Sequence, residues 1–93
     1  MNQLDIIDEI VLERFRQKKL NANPLNRRLR QDIADPVTAD GYRLAVLVEE
    51  VGEVANQLNE TTATLTGTDN RHSMKVELIQ VAAVCVAWLE ALE

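Results

Sequence analysis

The chain has 93 residues, enough for one small domain, and we expect residues 1–93 to fold as a single unit. Its net charge of −5 argues against nucleic acid as a partner, because a basic surface supplies most of the affinity for a polyanion. A single cysteine fits a reducing, cytoplasmic setting, and no apolar run is long enough to cross a membrane.

The first predicted helix covers residues 3–19, with acidic residues near its start and lysines near its end, as the helix dipole favours. Pro24 ends this pattern, and a short helix over residues 25–33 is predicted before a second break at Pro36. The apolar side chains expected on one face of the first helix are Leu4, Ile7, Ile10, Val11 and Phe15.

The second predicted helix begins with Thr38 or Asp40 as its N-cap and runs to about Glu60. Gly52 lies inside it, where glycine costs about 0.5–1 kcal/mol relative to alanine. Such a residue is tolerated most easily where another helix or a ligand comes close. The apolar side chains repeat with helical spacing at Leu44, Leu47, Val48, Val51, Val54, Ala55 and Leu58.

The third predicted helix follows a threonine-rich loop at residues 61–68, begins after Asp69 or Asn70 and continues to about Leu92. Its middle is apolar on every side, and such a helix is enclosed by neighbours. Because the chain offers few other helices, the sequence predicts an all-α bundle of three to four helices per chain, completed by oligomerisation into a homodimer or homotetramer.

Acidic residues on the second and third helices predict a metal site. Glu50 and Glu53 share one stripe of the second helix, and Glu77 and Gln80 share one stripe of the third. If these helices pack antiparallel, the two stripes face each other and form a cluster of oxygen ligands. Hard oxygen ligands favour Mg²⁺, or Mn²⁺ in its place, over zinc or copper.

The order of these acids resembles the EExxE…ExxD signature of the MazG-like, all-α nucleoside triphosphate pyrophosphohydrolases. Glu49-Glu50-Val51-Gly52-Glu53 matches the first half, and Glu77-Leu78-Ile79-Gln80 matches the second half except at its last position. The flanking residues 43–55 and 77–89 are similar to the two core helices of the family's short phage and bacterial branch. A weaker similarity covers residues 13–17.

The resemblance implies a helical-bundle dimer or pair of dimers that cleaves a nucleoside triphosphate between its α and β phosphates. It also implies Mg²⁺ as cofactor, with Glu50, Glu53 and Glu77 as metal ligands. Glu49 would help to hold the metals, or would orient and deprotonate the attacking water. The resemblance assigns no residue to the base or sugar, so the substrate-binding residues stay unknown.

Gln80 departs from the family pattern, which has an aspartate there. Its neutral side chain can offer a carbonyl oxygen to a metal, or it can be a core amide bonded to a neighbouring helix. The alternative function is therefore a catalytically weakened, non-enzymatic interaction or nucleotide-binding module of the same fold. A di-iron bundle is disfavoured, because it requires Glu-x-x-His on two helices and the chain has one histidine.

Three further residues carry expectations of their own. We expect His72 at the surface among polar neighbours and Cys85 packed inertly within the most apolar stretch. Trp88 is expected in the core or at an interface, with stacking on a nucleotide base as the other possibility.

Overall fold

The computed structural model describes residues 1–22, 34–35, 38–63 and 71–93. Within these ranges the chain forms helices α1 (Gln3–Ala22), α2 (Asp40–Ala63) and α3 (Arg71–Leu92), and no strand. The all-α prediction is therefore confirmed for the described residues. The predicted short helix at 25–33, most of the predicted loop and the predicted caps of the third helix lie outside them.

Helix α1 begins with a pair of reciprocal hydrogen bonds. The backbone N–H of Asp5 donates to Asn2 Oδ1 at 2.9 Å, and the backbone N–H of Asn2 donates to Asp5 Oδ2 at 3.1 Å. This capping box satisfies two donors that the first helical turn leaves without partners. The helix continues to Ala22, three residues beyond the predicted end at residue 19.

Helix α2 begins after a turn in which the N–H of Thr38 donates to the carbonyl of Asp35 at 3.0 Å. The carbonyl of Ala39 accepts the N–H of Arg43 at 3.2 Å, so Ala39 holds the N-cap position between the two predicted candidates. The helix continues to Ala63, and the predicted loop is therefore wrong for residues 61–63. The threonines there have low helix propensity, which the helix overrides.

Helix α3 is the shared helix of the fold, because both α1 and α2 pack against it. It runs antiparallel to α2, since Trp88 near its end contacts Asp40 at the start of α2 and Gln80 in its middle contacts Glu50. Val46, Val84 and Ala87 form a small buried core between these two helices. The antiparallel pairing predicted for the acidic stripes is confirmed.

An ion pair ties α1 to α3. Arg14 is 4% exposed, and its guanidinium donates to both carboxylate oxygens of Glu90, from Nε at 3.5 Å and from NH2 at 3.1 Å. The pKa of Glu90 lies below its ordinary range, chiefly because it accepts these hydrogen bonds. Charge as well as apolar contact therefore holds α1 in place.

A second buried arginine organises the start of α2. Arg43 donates to Asp40 Oδ1 at 2.8 Å and to the carbonyl of Asp35 at 2.6 Å. The indole N–H of Trp88 donates to the same Asp40 oxygen at 3.2 Å. Trp88 is partly buried between the helices, as expected for a core position, and its ring nitrogen links α3 to α2.

The buried faces of the helices do not coincide with their apolar stripes. On α2 the buried residues are Arg43, Val46 and Glu50, whereas Val48 and Val51 on the predicted apolar face are 60% and 51% exposed. On α3 the described chain buries only one face, so neighbours within a single chain do not enclose this helix, and its enclosure by oligomerisation stays a prediction.

Two single-residue predictions have opposite outcomes. Cys85 is exposed rather than packed, because the buried face of α3 passes through Ala83, Val84 and Ala87 on the other side of the helix. His72 is exposed, as expected. None of the described helices combines the length and apolar character needed to cross a membrane.

Candidate functional site

The candidate site forms where the middle of α2 crosses the middle of α3. Glu50 lies four residues after Val46 and seven after Arg43, so these three side chains share the face that packs on the rest of the chain. Glu50 is 8% exposed. A carboxylate placed there needs partners, because burial of an ionised group is costly without them.

Gln80 supplies such a partner and joins Glu50 to Glu77. With the amide oriented to suit its neighbours, its Nε2 donates to Glu50 Oε2 at 3.1 Å and to Glu77 Oε2 at 2.9 Å. One neutral side chain thus satisfies an oxygen on each of two carboxylates from different helices. The sequence interpretation of Gln80 as an amide bonded to a neighbouring helix describes this arrangement.

Glu53 adds negative charge to the same place. The pKa of Glu77 is raised above its ordinary value, first because partial burial disfavours its ionised form and second because the charge of Glu53 repels it. Glu53 itself is exposed on α2, one turn after Glu50. The structure therefore brings Glu50, Glu77 and Gln80 into contact and leaves Glu53 close enough to act on Glu77 through its charge.

Glu49 lies on a different side of α2 from this contact. It is exposed, one position further round the helix from Glu50. The four predicted acids therefore differ in placement. Glu50 and Glu77 both accept hydrogen bonds from Gln80, Glu53 acts on Glu77 through its charge, and Glu49 lies outside this group.

The contact atoms are carboxylate oxygens and an amide that can present an oxygen, which is the ligand type that a small hard cation prefers. Among the described residues, no three acidic, histidine or cysteine side chains are gathered so as to hold a metal ion by themselves. Rotation of the Gln80 amide by 180°, however, exchanges its oxygen and nitrogen. Its Oε1 then lies 2.9 Å from Glu77 Oε2 and 3.1 Å from Glu50 Oε2. Neighbouring oxygens in an octahedral magnesium site are about 2.9–3.0 Å apart, since each lies about 2.1 Å from the ion. Two carboxylates and this amide oxygen would supply three such ligands.

One cation of α1 that the sequence analysis did not assign interacts with this cluster through its charge. Arg16 on α1 donates to both carboxylate oxygens of Glu13 and is about half exposed. Its pKa is raised, mainly by the hydrogen bond to Glu13, with the charge of Glu50 adding to the effect. The only sequence signal for Arg16 is the weak resemblance of residues 13–17, because spacing along the chain does not reveal which part of α1 approaches α2.

Comparison of the chain with family models, with curated proteins and with solved structures gives no match. The functional argument therefore depends on the residues themselves.

Proposed function

We propose that the protein is a Mg²⁺-dependent nucleoside triphosphate pyrophosphohydrolase of the MazG-like kind. The observation that carries the proposal is the contact among Glu50, Glu77 and Gln80 from two antiparallel helices. These are three of the four positions that the family resemblance assigns to the metal. The oxygen-only donor set and the spacing of its atoms support magnesium, with manganese as a substitute.

In this proposal Glu50, Glu53 and Glu77 would hold the cation through their carboxylates, and Gln80 would add its carbonyl oxygen once its amide is turned. When bound, the cation would neutralise the triphosphate charge and polarise the α-phosphoryl group. Glu49, exposed to solvent, orients a water molecule and accepts its proton as the oxygen attacks the α-phosphorus. The bond from that phosphorus to the bridging oxygen breaks, and pyrophosphate leaves from a nucleoside monophosphate.

Arg16 extends the proposal to the substrate. The charges of Arg16 and Glu50 attract each other, and the same guanidinium would attract the negative charge of a triphosphate bound at the cluster. Guanidinium groups bind phosphate oxygens through paired hydrogen bonds, and Glu13 already holds this one in a fixed orientation. We assign Arg16 to the triphosphate. No residue is assigned to the base or sugar.

A second function is favoured by one observation. The Gln80 amide satisfies Glu50 and Glu77 without any cation, so the fold does not need a metal to keep these carboxylates together. A non-enzymatic module of the same fold, binding a nucleotide or a protein partner, would have the same contact. The two proposals differ in whether the cluster binds Mg²⁺ and releases pyrophosphate.

The deciding experiment measures pyrophosphate release from a panel of normal and modified nucleoside triphosphates with Mg²⁺ or Mn²⁺. We expect release with at least one substrate, and a loss of about a hundredfold or more in kcat for Glu50→Gln or Glu77→Gln. Glu9→Gln, which makes the same change at an exposed site on α1, is the matched control and should retain full activity. No release with any substrate, in a folded protein, would leave the non-enzymatic module as the function.

A further inference from the structure

The buried side of α1 is mostly polar. Among residues 1–19, four side chains are buried or partly buried and share one stripe of the helix: Ile10, Glu13, Arg14 and Gln17. The large apolar side chains of Val11 and Phe15 are 48% and 59% exposed. A helix that docked through apolar burial alone would turn these side chains inward. The orientation of α1 therefore depends on polar contacts.

The polar side chains of this stripe form one hydrogen-bonded network that begins at α3. Arg14, paired with Glu90 of α3, also donates from Nη1 to Gln17 Oε1 at 3.3 Å. The Nε2 of Gln17 donates in turn to Glu13 Oε1 at 3.4 Å. The orientation of the Gln17 amide is thereby fixed, because its oxygen faces a guanidinium that only donates and its nitrogen faces a carboxylate that only accepts.

Arg16 is the last member of the network and the one that is open to solvent. Its Nε donates to Glu13 Oε2 at 2.8 Å, and its Nη2 donates to Glu13 Oε1. The side chain of Glu13 is 12% exposed, whereas that of Arg16 is 52% exposed. The network therefore runs from a buried ion pair to an accessible cation that is held by a nearly buried carboxylate.

Glu13 occupies only one edge of the Arg16 guanidinium. The group carries five N–H donors in a planar fork, and the edge formed by Nε and Nη2 faces the carboxylate. Within the described part of the chain, Nη1 donates to no acceptor. The second edge, formed by Nη1 and the other N–H of Nη2, matches a pair of phosphoryl oxygens. A guanidinium already held on one side loses little freedom when it binds such an anion.

The contacts of Glu13 indicate what the network does. Among the described residues its hydrogen bonds come from Arg16 and Gln17, both on α1, so they do not join α1 to another helix. A nearly buried carboxylate costs desolvation free energy, and an apolar side chain at a helix interface often gives equal or greater stability. The visible effect of Glu13 is to fix the position of Arg16.

We propose that Gln17 is a positioning residue: it fixes the carboxylate of Glu13, and Glu13 holds Arg16 with its second edge open to the phosphoryl oxygens of a polyphosphate. The inference rests on the proposed function for the identity of this anion. Gln17 acts on the ligand only through Arg16. The attraction between the charges of Arg16 and Glu50 supports an anion site that this guanidinium shares with a cation at the acidic cluster.

The first test is a double-mutant cycle on the binding of inorganic triphosphate with Mg²⁺, measured by titration calorimetry. Gln17→Met keeps the length of the side chain and removes both hydrogen bonds, and Gln3→Met makes the same change at an exposed site on α1 as the control. We expect Arg16→Met to weaken binding about tenfold or more and Gln17→Met about threefold or more, with Gln3→Met unchanged. In the Arg16→Met background, Gln17→Met should have no further effect.

The cycle separates positioning from a general effect on the fold. A further loss in the double variant would show that Gln17 does not act through Arg16, and it would overturn the inference. A parent that does not bind triphosphate, or binding that neither substitution weakens, would overturn it too. The proposed function fails differently: a parent that binds triphosphate through Arg16 but releases no pyrophosphate from any nucleotide keeps the network and loses the reaction.

The second test observes the Arg16 guanidinium directly by NMR. Its Nε–H resonance is identified by its absence in Arg16→Lys, a change at a half-exposed side chain. We expect this N–H to exchange with water more slowly than that of free arginine, and faster in Gln17→Met than in the parent. Triphosphate with Mg²⁺ should slow exchange at the Nη groups and leave the Nε–H protected. Unprotected Nε–H in the parent, or loss of its protection when triphosphate binds, would refute the assignment of the two edges.

Discussion

Gln80 determines how much the candidate site depends on a cation. In a site of three carboxylates the ionised groups repel each other until a metal binds, whereas here an amide donates to two of them. The residue therefore stabilises the folded chain before any metal is present. The same residue must give up both hydrogen bonds if its oxygen is to face the ion.

A charge at this position should make folding depend on magnesium. Gln80→Glu keeps the length of the side chain, removes both donated hydrogen bonds and adds repulsion, so we expect a loss of about 1–3 kcal/mol in the free energy of unfolding without metal. Millimolar Mg²⁺ should restore most of this loss. Urea unfolding in EDTA and in Mg²⁺ measures both effects, with the exposed Gln3→Glu as the control. An equal loss in both buffers would contradict a cation site at Gln80.

Glu77 and Glu90 should give opposite pH dependence. The folded state raises the pKa of Glu77, so its contribution to stability is present below the ordinary pKa of 4.5 and is lost as the pH rises through the higher folded value. The folded state lowers the pKa of Glu90, so its contribution is present above 4.5 and is lost as the pH falls through the lower folded value.

Thermal melts from pH 3 to pH 8 can separate the two carboxyls. Relative to the parent, Glu77→Gln should gain stability at neutral pH and change little at the acid end. Glu90→Gln should lose stability at neutral pH and converge with the parent at the acid end. A Glu77→Gln variant less stable than the parent at pH 7 would show that the hydrogen bond from Gln80 outweighs the burial of the carboxylate and its repulsion by Glu53.

At the scale of the elements, the attachment of α1 depends on a charge that is almost fully buried. The side chain of Arg14 is 5% exposed and that of its partner Glu90 is 42% exposed, so removal of one partner has a different cost from removal of the other. A carboxylate left alone at Glu90 is solvated. A guanidinium left alone at Arg14 is not.

Substitution of the two partners should therefore be asymmetric. We expect Glu90→Ala to cost about 1–3 kcal/mol, because it leaves a buried guanidinium whose remaining side-chain acceptor among the described residues is Gln17 Oε1. Arg14→Met preserves most of the volume and should cost about 1 kcal/mol or less. A double-mutant cycle by denaturant unfolding checks this, and the double variant should be more stable than Glu90→Ala alone. Equal costs for the two single variants would contradict the asymmetry.

The helices were predictable from sequence to within three residues, because apolar periodicity and breaks at proline are local signals. The faces that they bury were not predictable in the same way. A stripe such as Val48 and Val51 indicates that something covers it, but periodicity does not say whether the cover belongs to the same chain. The meeting of Glu50 with Gln80 was predictable from antiparallel pairing of the two helices. The orientation of the Gln80 amide and the charge interaction of Arg16 with Glu50 depend on packing between helices.

At the scale of the whole molecule, the three described helices leave much of their apolar surface exposed within a single chain. Its buried core contains few side chains, and many large apolar residues stay exposed on all three helices. A chain of this size has little stability to spare when so much apolar surface meets water. The stability measured for this protein should therefore include the free energy of association.

The melting temperature should accordingly rise with protein concentration. Each tenfold increase should add about 1.4 kcal/mol to the stability of a dimer, and a shift of several degrees follows for a domain of this size. Calorimetry over a hundredfold range of concentration measures it. A parent protein with a melting temperature independent of concentration would contradict linked folding and association.

The hydrogen bonds from Gln80 to Glu50 and Glu77 also have a consequence for the evolution of the chain. A chain whose acidic cluster is held together by its own side chain can be inherited through generations in which selection on the metal is relaxed, because loss of the ion does not unfold it. Glutamine and glutamate codons differ by a single base, so one point mutation can add a fourth charge to those of Glu50, Glu53 and Glu77. This position can therefore record whether a lineage has been selected for catalysis or for the scaffold alone.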